Sequence, residues 1–368
     1  MIKLHGTAKL FPPEEDKELL ILAQFADCLS PEVRAITVDN NGLLTGVSTD
    51  PEEDDTLFLA YVPFSKCESL ADCRIVQYSQ LQELDRLAPF INLVSYEDES
   101  GISQNVAFKF NVLNKPLRLQ MAWDELNILK SLPLHPNILP FDRVVVEDQD
   151  SRVIGFTTKY IPDHSDLNGY SSLLRLWTSS IFLELGVMHQ DIAPRNLLID
   201  PCTSNIVLFD FDRAASGKRR LYDGRDDVTS VAFTLYELIT NDDSFSAIPR
   251  WDRDIDMVQN ISEWTSHREL DSDVSTFRNF LSEWVARRRS DGEMERYYNA
   301  PHRFSWPDLP TATDYSVPFE MGTTWDGKPN WTTGYRSRDT AMKMGQYCFR
   351  WERPPQSRSL VLTEHNER

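Results

Sequence analysis

The sequence predicts an α+β protein of two lobes, a small strand-rich lobe followed by a mainly helical one. Three observations carry that expectation. Strand-like runs separated by turn clusters fill residues 76–162 and are interrupted by one helical pattern. Beyond Pro162 the apolar residues spread into the wide stripes of core helices. Between two of those helices lies a compact loop and hairpin, residues 187–211, leading into Asp210-Phe211-Asp212. The chain of 368 residues then divides into an acidic N-terminal extension over 1–75, the strand-rich lobe over 76–162, the helical lobe over 163–300 and a C-terminal extension over 301–368.

The elements follow in order. Residues 1–75 are weakly patterned: a short helix is expected over 18–28, a charged loop over 50–55 and a buried strand over 56–62. Leu93-Val94-Ser95-Tyr96 reads as a strand, 97–101 as a turn and 106–110 as the next strand. Residues 117–132 read as a helix in which Met121, Leu129 and Leu132 share a face, with Leu119 and Leu126 beside it. Two strand-like runs follow, 143–146 and 153–157. In the helical part, 171–185 carries an apolar stripe, and 228–240 is apolar nearly all round, the pattern of a central buried helix. Residues 261–264 and 276–285 are expected to be further helices, and no clear period is visible after Ala300.

Composition excludes several classes. With 41% hydrophobic and 26% charged residues, the chain is not a disordered, collagen-like or membrane-embedded one. A net charge of −19, from 38 Lys and Arg against 57 Asp and Glu, argues against nucleic acid as a partner. The compact basic cluster Arg287-Arg288-Arg289 reads as the solvated end of a helix. Five scattered cysteines without a C-x-x-C pair predict neither a disulfide scaffold nor a structural zinc site. The first residues have no apolar h-region and no run is long enough to span a membrane, so a soluble cytoplasmic protein without a membrane partner is expected.

The chemistry concentrates in Met188-His189-Gln190-Asp191-Ile192-Ala193-Pro194-Arg195-Asn196-Leu197-Leu198-Ile199-Asp200. A strand at 197–199, a turn at 200–205 and a strand at 206–209 would bring Asn196 and Asp210 to neighbouring positions. There their side-chain oxygens suit a hard cation such as Mg²⁺. Asp191 would stand beside it as a carboxylate able to accept a hydroxyl proton.

This string resembles the eukaryotic protein kinase superfamily, in particular divergent fungal kinase-like proteins. His189 to Asn196 is similar to the catalytic loop H-R-D-L-x-x-x-N, and Asp210-Phe211-Asp212 to D-F-G. Val106-Ala107-Phe108-Lys109 is similar to V-A-I-K; strand alternation sets Lys109 and Ala107 opposite Val106, Phe108 and Phe110. Glu125, upstream of His135-Pro136-Asn137-Ile138, matches the glutamate that pairs with that lysine, and pairing would resolve two charges costly to bury alone. Thr158-Lys159-Tyr160-Ile161 resembles the hinge that holds adenine, and Asp227-Val228-Thr229-Ser230 the start of the helix whose buried Asp holds the catalytic-loop backbone.

The resemblance implies a two-lobed kinase-like fold and phosphoryl transfer from ATP with Mg²⁺ to a protein hydroxyl. It gives catalytic roles to Asp191, Lys109, Glu125 and Asn196, metal binding to Asn196 and Asp210, and nucleotide contacts to Lys109, Thr158, Tyr160, Ile161 and Leu198. Four departures accompany it. No glycine stands between Leu84 and Val94, where a phosphate lid is expected; Asp212 replaces the D-F-G glycine; Gln190 replaces an arginine; and the segment 213–226 is short and lacks A-P-E. Two alternatives stay open: a pseudokinase acting as a binding scaffold, and a kinase of small molecules resembling the aminoglycoside and choline kinases.

Overall fold

A computed structural model of the chain describes residues 2–4, 24–25, 30, 32–39, 41–53, 61–88, 90–110, 116–162, 185–216, 220–222, 224–267, 270, 272–290, 299–300, 302–310, 316–323, 326–335 and 337–345. These residues form a mixed α+β structure, with more strands than helices. Among them no helix is long and apolar enough to cross a membrane. The expected helix over 171–185 lies outside the described residues except for Leu185. The same holds for the expected helix over 18–28 and strand over 56–62, apart from residues 24–25 and 61–62.

The chain divides into two compact units. The first comprises Met1–Tyr61, Val112–Arg118 and Thr311–Glu352. In it, strand β1 (Ile2–Leu4) pairs in parallel with β2 (Ala35–Val38), which pairs antiparallel with β3 (Leu44–Ser48). The turn between β2 and β3 is held by Asp39, whose Oδ1 accepts the backbone N–H of Asn41 and of Leu43, each at 2.9 Å. Sequence reading found neither strand. Each is only four or five residues long, too short for alternation to stand out from the charged surroundings.

The second unit, chiefly Val62–Asn111 and Leu119–Pro310, holds every residue singled out for chemistry. Its strands β4 (Ile75–Gln77), β5 (Gln82–Ala88), β6 (Ile91–Glu97), β7 (Ser103–Phe110), β8 (Phe141–Val146) and β9 (Val153–Lys159) make one six-stranded sheet in the order β4-β8-β9-β7-β6-β5. All its pairings are antiparallel except β4 with β8. Between β7 and β8 runs helix α1 (Pro116–Ser131). Its middle is buried on all sides: Trp123, Asp124, Glu125, Leu126, Asn127, Ile128 and Leu129 are each 5% exposed or less. That explains why its apolar stripe is indistinct, since polar residues in it are buried through specific partners.

Two small two-stranded sheets follow. Strand β10 (Val187–Met188) leads into β11 (Leu197–Ile199), which pairs with β12 (Ile206–Leu208), and β10 itself pairs with β13 (Ala215–Ser216). Helix α2 (Asp227–Thr240) is capped by Asp226, whose Oδ1 accepts the Thr229 N–H at 2.7 Å, and it buries Val231, Ala232, Phe233, Leu235, Tyr236 and Ile239. One apolar core joins Leu126 and Leu129 of α1, Val144 and Phe156 of the sheet, Leu208, Phe211, and Leu235 and Ile239 of α2.

The expected helix at 261–264 is not one: helix α3 occupies Ile255–Gln259 and ends at Asn260. Apolar residues recur every three positions from Ile255 through Val258, Ile261 and Trp264. Asp254, accepting the Asp256 N–H at 2.8 Å, starts the helix early. Trp264 is buried by tertiary contact, edge-on to Tyr236 at 5.3 Å, rather than by a helix period. Helix α4 (Val274–Ser290) buries Phe277, Leu281, Trp284 and Val285, and the Arg287-Arg288-Arg289 run is its last turn.

After residue 300, where no pattern was read, the first unit contains a hairpin of β14 (Ser316–Thr323) and β15 (Pro329–Tyr335), then helix α5 (Arg338–Lys343). Among the described residues Cys67, Cys73 and Cys202 are free thiols.

Candidate active site

Strand alternation positions Lys109. In β7, Val106 and Phe108 are buried in the core while Lys109 turns to the other side, opposite Ile91 of β6 and Phe156 of β9. Gly155 of β9 permits this close register: a Cβ there would stand 2.3 Å from the Lys109 carbonyl oxygen. The Lys109 Nζ lies 2.7 Å from Glu125 Oε1 and 2.6 Å from Asp210 Oδ1, so α1 and the end of the β11–β12 hairpin converge on one ammonium.

Carboxylates crowd around this ammonium. Burial disfavours the Lys109 ammonium, but Glu125, Asp210 and Asp212 override it and hold its pKa above the ordinary lysine value. Burial raises Glu125; the attraction of Lys109 opposes this, while Asp210 and Asp212 add to it. Burial also raises Asp212, reinforced by Asp210. For Asp210 burial is outweighed by Lys109, and its carboxyl is held low. Three carboxylates thus lie in the field of the Lys109 ammonium, with Arg213 4.0 Å from Asp212 and Arg195 acting on Asp210 from further out.

The loop from His189 to Asn196 is fixed by backbone capture. Asp227, buried in the first turn of α2, accepts the N–H of His189 at 2.9 Å and of Gln190 at 2.7 Å. The Asp191 N–H donates to His189 Nδ1 at 3.2 Å, which leaves the proton on Nε2 to donate to the Phe209 carbonyl at 2.9 Å. The His189 ring also meets Phe211 edge-on, 4.7 Å between centroids. Asn196 donates its Nδ2 to the Asp191 carbonyl at 2.8 Å and to Asp191 Oδ2 at 3.1 Å, so its own Oδ1 remains an acceptor. Pairing of β11 with β12 sets Asn196 across from Phe209, whose N–H donates to the Asn196 carbonyl at 3.1 Å; Asp210 comes next. Two residues here, Gln190 (φ 62°) and Asp210 (φ 64°), hold left-handed backbone without being glycine.

No protein-family model matches the chain, and no curated protein is significantly similar to it. Its chemistry therefore rests on its own geometry.

Sequence reading missed what Gln190 does. Its Nε2 donates to the carbonyls of Arg213 (2.7 Å) and Arg220 (2.8 Å), and its Oε1 accepts the Tyr222 N–H at 2.8 Å. A neutral amide thereby ties Arg213, Arg220 and Tyr222 of the short segment after Asp212 to the loop. Also missed were the neighbours of Asp191. Besides Arg195 at 2.7 Å, its carboxylate meets Arg250 at 2.5 Å and Arg225 at 3.7 Å. Only Arg195 had a local signal, its spacing of four from Asp191.

Of the expected nucleotide contacts, Thr158 is buried in β9 opposite Ala107, and Tyr160 follows the strand. Ile161 and Leu198 meet in one apolar cluster with Leu139, Val207 and Phe209. At the expected lid, β5 and β6 join through Phe90, in left-handed backbone (φ 65°) with its ring edge-on to Phe110. Glu83 is buried and accepts from Asn92 Nδ2 at 3.3 Å, whereas Asp85 is exposed. Among the described residues no three His, Cys, Asp or Glu side chains converge as a metal cluster. Any cation at Asn196 and Asp210 would draw its other ligands from water or a bound phosphate.

Proposed function

We propose that the chain is a phosphotransferase of protein kinase type with a two-lobed kinase-like fold, carrying the γ-phosphoryl group of ATP to a hydroxyl acceptor. The observation that carries this reading is Lys109 held between Glu125 and Asp210 at 2.7 and 2.6 Å, from three separate elements. Such a device keeps an ammonium charged and aimed, as phosphate binding requires.

In this reading Lys109 contacts the nucleotide phosphates and Glu125 orients it. Thr158, Tyr160, Ile161 and Leu198 bound the adenine. Asn196 and Asp210 would hold Mg²⁺; the carboxylates crowded around Lys109 and the uncommitted Asn196 Oδ1 suit a hard divalent cation. When bound, the cation supplies charge neutralisation at the phosphates. The acceptor oxygen bonds to the γ-phosphorus as the bond to the bridging oxygen breaks, and the hydroxyl proton passes to Asp191. His189 and Asp227 hold the loop rather than the reactants.

One observation favours a second reading, a nucleotide-binding pseudokinase: the turn joining β5 and β6 at Phe90 has no glycine to let amides approach phosphate. Thermal unfolding with Mg-ATP, paired with a turnover assay, separates the readings. A ligand at a hundredfold excess over its Kd stabilises the folded state by about 2.7 kcal/mol. Mg-ATP is expected to raise Tm. Asp210→Asn should remove the metal-dependent part, and Asp191→Asn should keep the shift while ending turnover. A shift without turnover on any acceptor supports the pseudokinase, and no shift with any nucleotide rejects both.

A further inference from the structure

The arginines around Asp191 are too many for the carboxylate they surround. Arg195, Arg250 and Arg225 lie within 4 Å of it, at 2.7, 2.5 and 3.7 Å. Arg253 adds to the same field, bonding the carbonyls of Ile248 at 3.0 Å and Ser246 at 3.3 Å. Facing these four guanidiniums, among the described residues, are the carboxylates of Asp191 and Glu237, with Asp212 acting on Arg225 and Asp210 on Arg195. Three guanidiniums thus meet at one carboxylate in a chain of net charge −19. Burial weakens the charged forms of Arg225, Arg250 and Arg253, and neighbouring guanidiniums weaken them further, the electrostatic mark of crowded cations.

This crowding is built by the fold. Gly224 has φ 71°, and a Cβ on it would stand 2.3 Å from the Trp251 Cα, so the turn bearing Arg250 (Arg250–Asp252) packs directly on the backbone beside Arg225. The Asp191 side chain is 10% exposed, against 24% for Arg225 and 61% for Arg195. Arg195 and Arg225 are thus more exposed than the carboxylate they flank.

We infer that the acceptor carries an anionic group, a carboxylate or a phosphate, next to its hydroxyl, and that Arg225 and Arg250 with Arg195 bind that anion while the hydroxyl faces Asp191. This deepens the phosphotransferase reading and rests on it for the role of the hydroxyl. Guanidinium forks suit either anion, and a cationic acceptor would be repelled. The same anion can come from an acidic peptide or from a small hydroxy acid.

The test uses the full chain and fluorescence anisotropy. The probe is a labelled peptide with one serine flanked by glutamates, compared with the same peptide carrying lysines instead. The acidic peptide should bind at least about tenfold more tightly. Arg225→Gln and Arg250→Gln should each erase most of that preference, while Arg287→Gln, on the exposed end of α4, should leave it intact. Arg225, at the rim, keeps the test open if the Arg250 variant does not fold. Displacement by glycerate at lower concentration than by unlabelled peptide would make a small hydroxy acid the source of the anion, and the reverse would make it a peptide. Equal binding of both peptides, or a preference unchanged in the arginine variants, overturns the inference. The Mg-ATP shift is read on the same samples. Acidic preference without a nucleotide shift leaves the anion site standing and sinks the kinase reading. A nucleotide shift with turnover but no acidic preference sinks the anion site alone.

Discussion

Gln190 donates a hydrogen bond from its side-chain amide to the carbonyl oxygen of Arg213 at 2.7 Å, and with its bonds to Arg220 and Tyr222 it fastens parts of the segment after Asp212 to the loop from His189 to Asn196 without any charge. Gln190→Leu should cost about 1–3 kcal/mol, since it leaves buried backbone groups unpaired. It should also slow turnover by loosening the segment. Phosphatase treatment of the native chain should leave activity unchanged. Urea unfolding and a phosphatase-treated assay check both parts, and loss of activity on dephosphorylation would contradict them.

Gly224 and Trp251 offer a backbone test. At φ 71° a side chain costs about 1–2 kcal/mol in strain, and the overlap with the Trp251 backbone adds roughly 1–3 kcal/mol. Gly224→Ala should therefore lower Tm by several degrees, at roughly 2–4 °C for each kcal/mol in a chain of this size. Gly327→Ala, where a Cβ meets nothing within 4 Å and φ is 81°, isolates the strain alone. Equal losses at the two positions would show that the Trp251 contact contributes nothing.

The Lys109 cluster predicts an asymmetry between its partners. Lys109→Met leaves Glu125, Asp210 and Asp212 without their shared ammonium and should destabilise by about 3–5 kcal/mol. Glu125→Gln removes one carboxylate from an overcrowded set and should cost less. Both should abolish turnover, so the distinction is read in chemical denaturation. A larger loss for Glu125→Gln than for Lys109→Met would contradict that crowding.

Away from the site, Arg143 is buried in β8 and grips exposed Glu99 through both Nη groups, at 2.6 and 2.8 Å. This hydrogen bonding pulls the Glu99 carboxyl down from 4.5 to about 2. A depressed folded-state pKa contributes stability that is present above the unfolded value and lost as pH falls through the folded one. The Tm gap between the native chain and Glu99→Gln should thus be constant above pH 4.5 and narrow between 4.5 and about 2. A gap that widens on acidification would reverse the assignment.

Much of the second unit was legible in the sequence. The β7 strand with Lys109, the helix bearing Glu125 and the hairpin joining Asn196 to Asp210 follow from short-range period and spacing, whereas the role of Asp227 was an expectation that the kinase resemblance implied. Less was legible in the first unit, where β2, β3, β14 and β15 carry little alternation. At 255–264 an apolar period of three ran past the true helix end, because capping by Asp254 and burial of Trp264 answer to different forces.

The sequence by itself determined the order of the elements, the side of β7 from which Lys109 projects and the neighbouring positions of Asn196 and Asp210. Those depend on backbone geometry repeated over a few residues. Only the tertiary structure decided that three carboxylates crowd around one ammonium, that Gln190 ties down the following segment and that Arg195, Arg225 and Arg250 close around Asp191. The reason is physical: Coulomb energy and hydrogen bonding depend on distance through space. The turn at Gly224 and Trp251 brings together charges that lie on three separate stretches of chain.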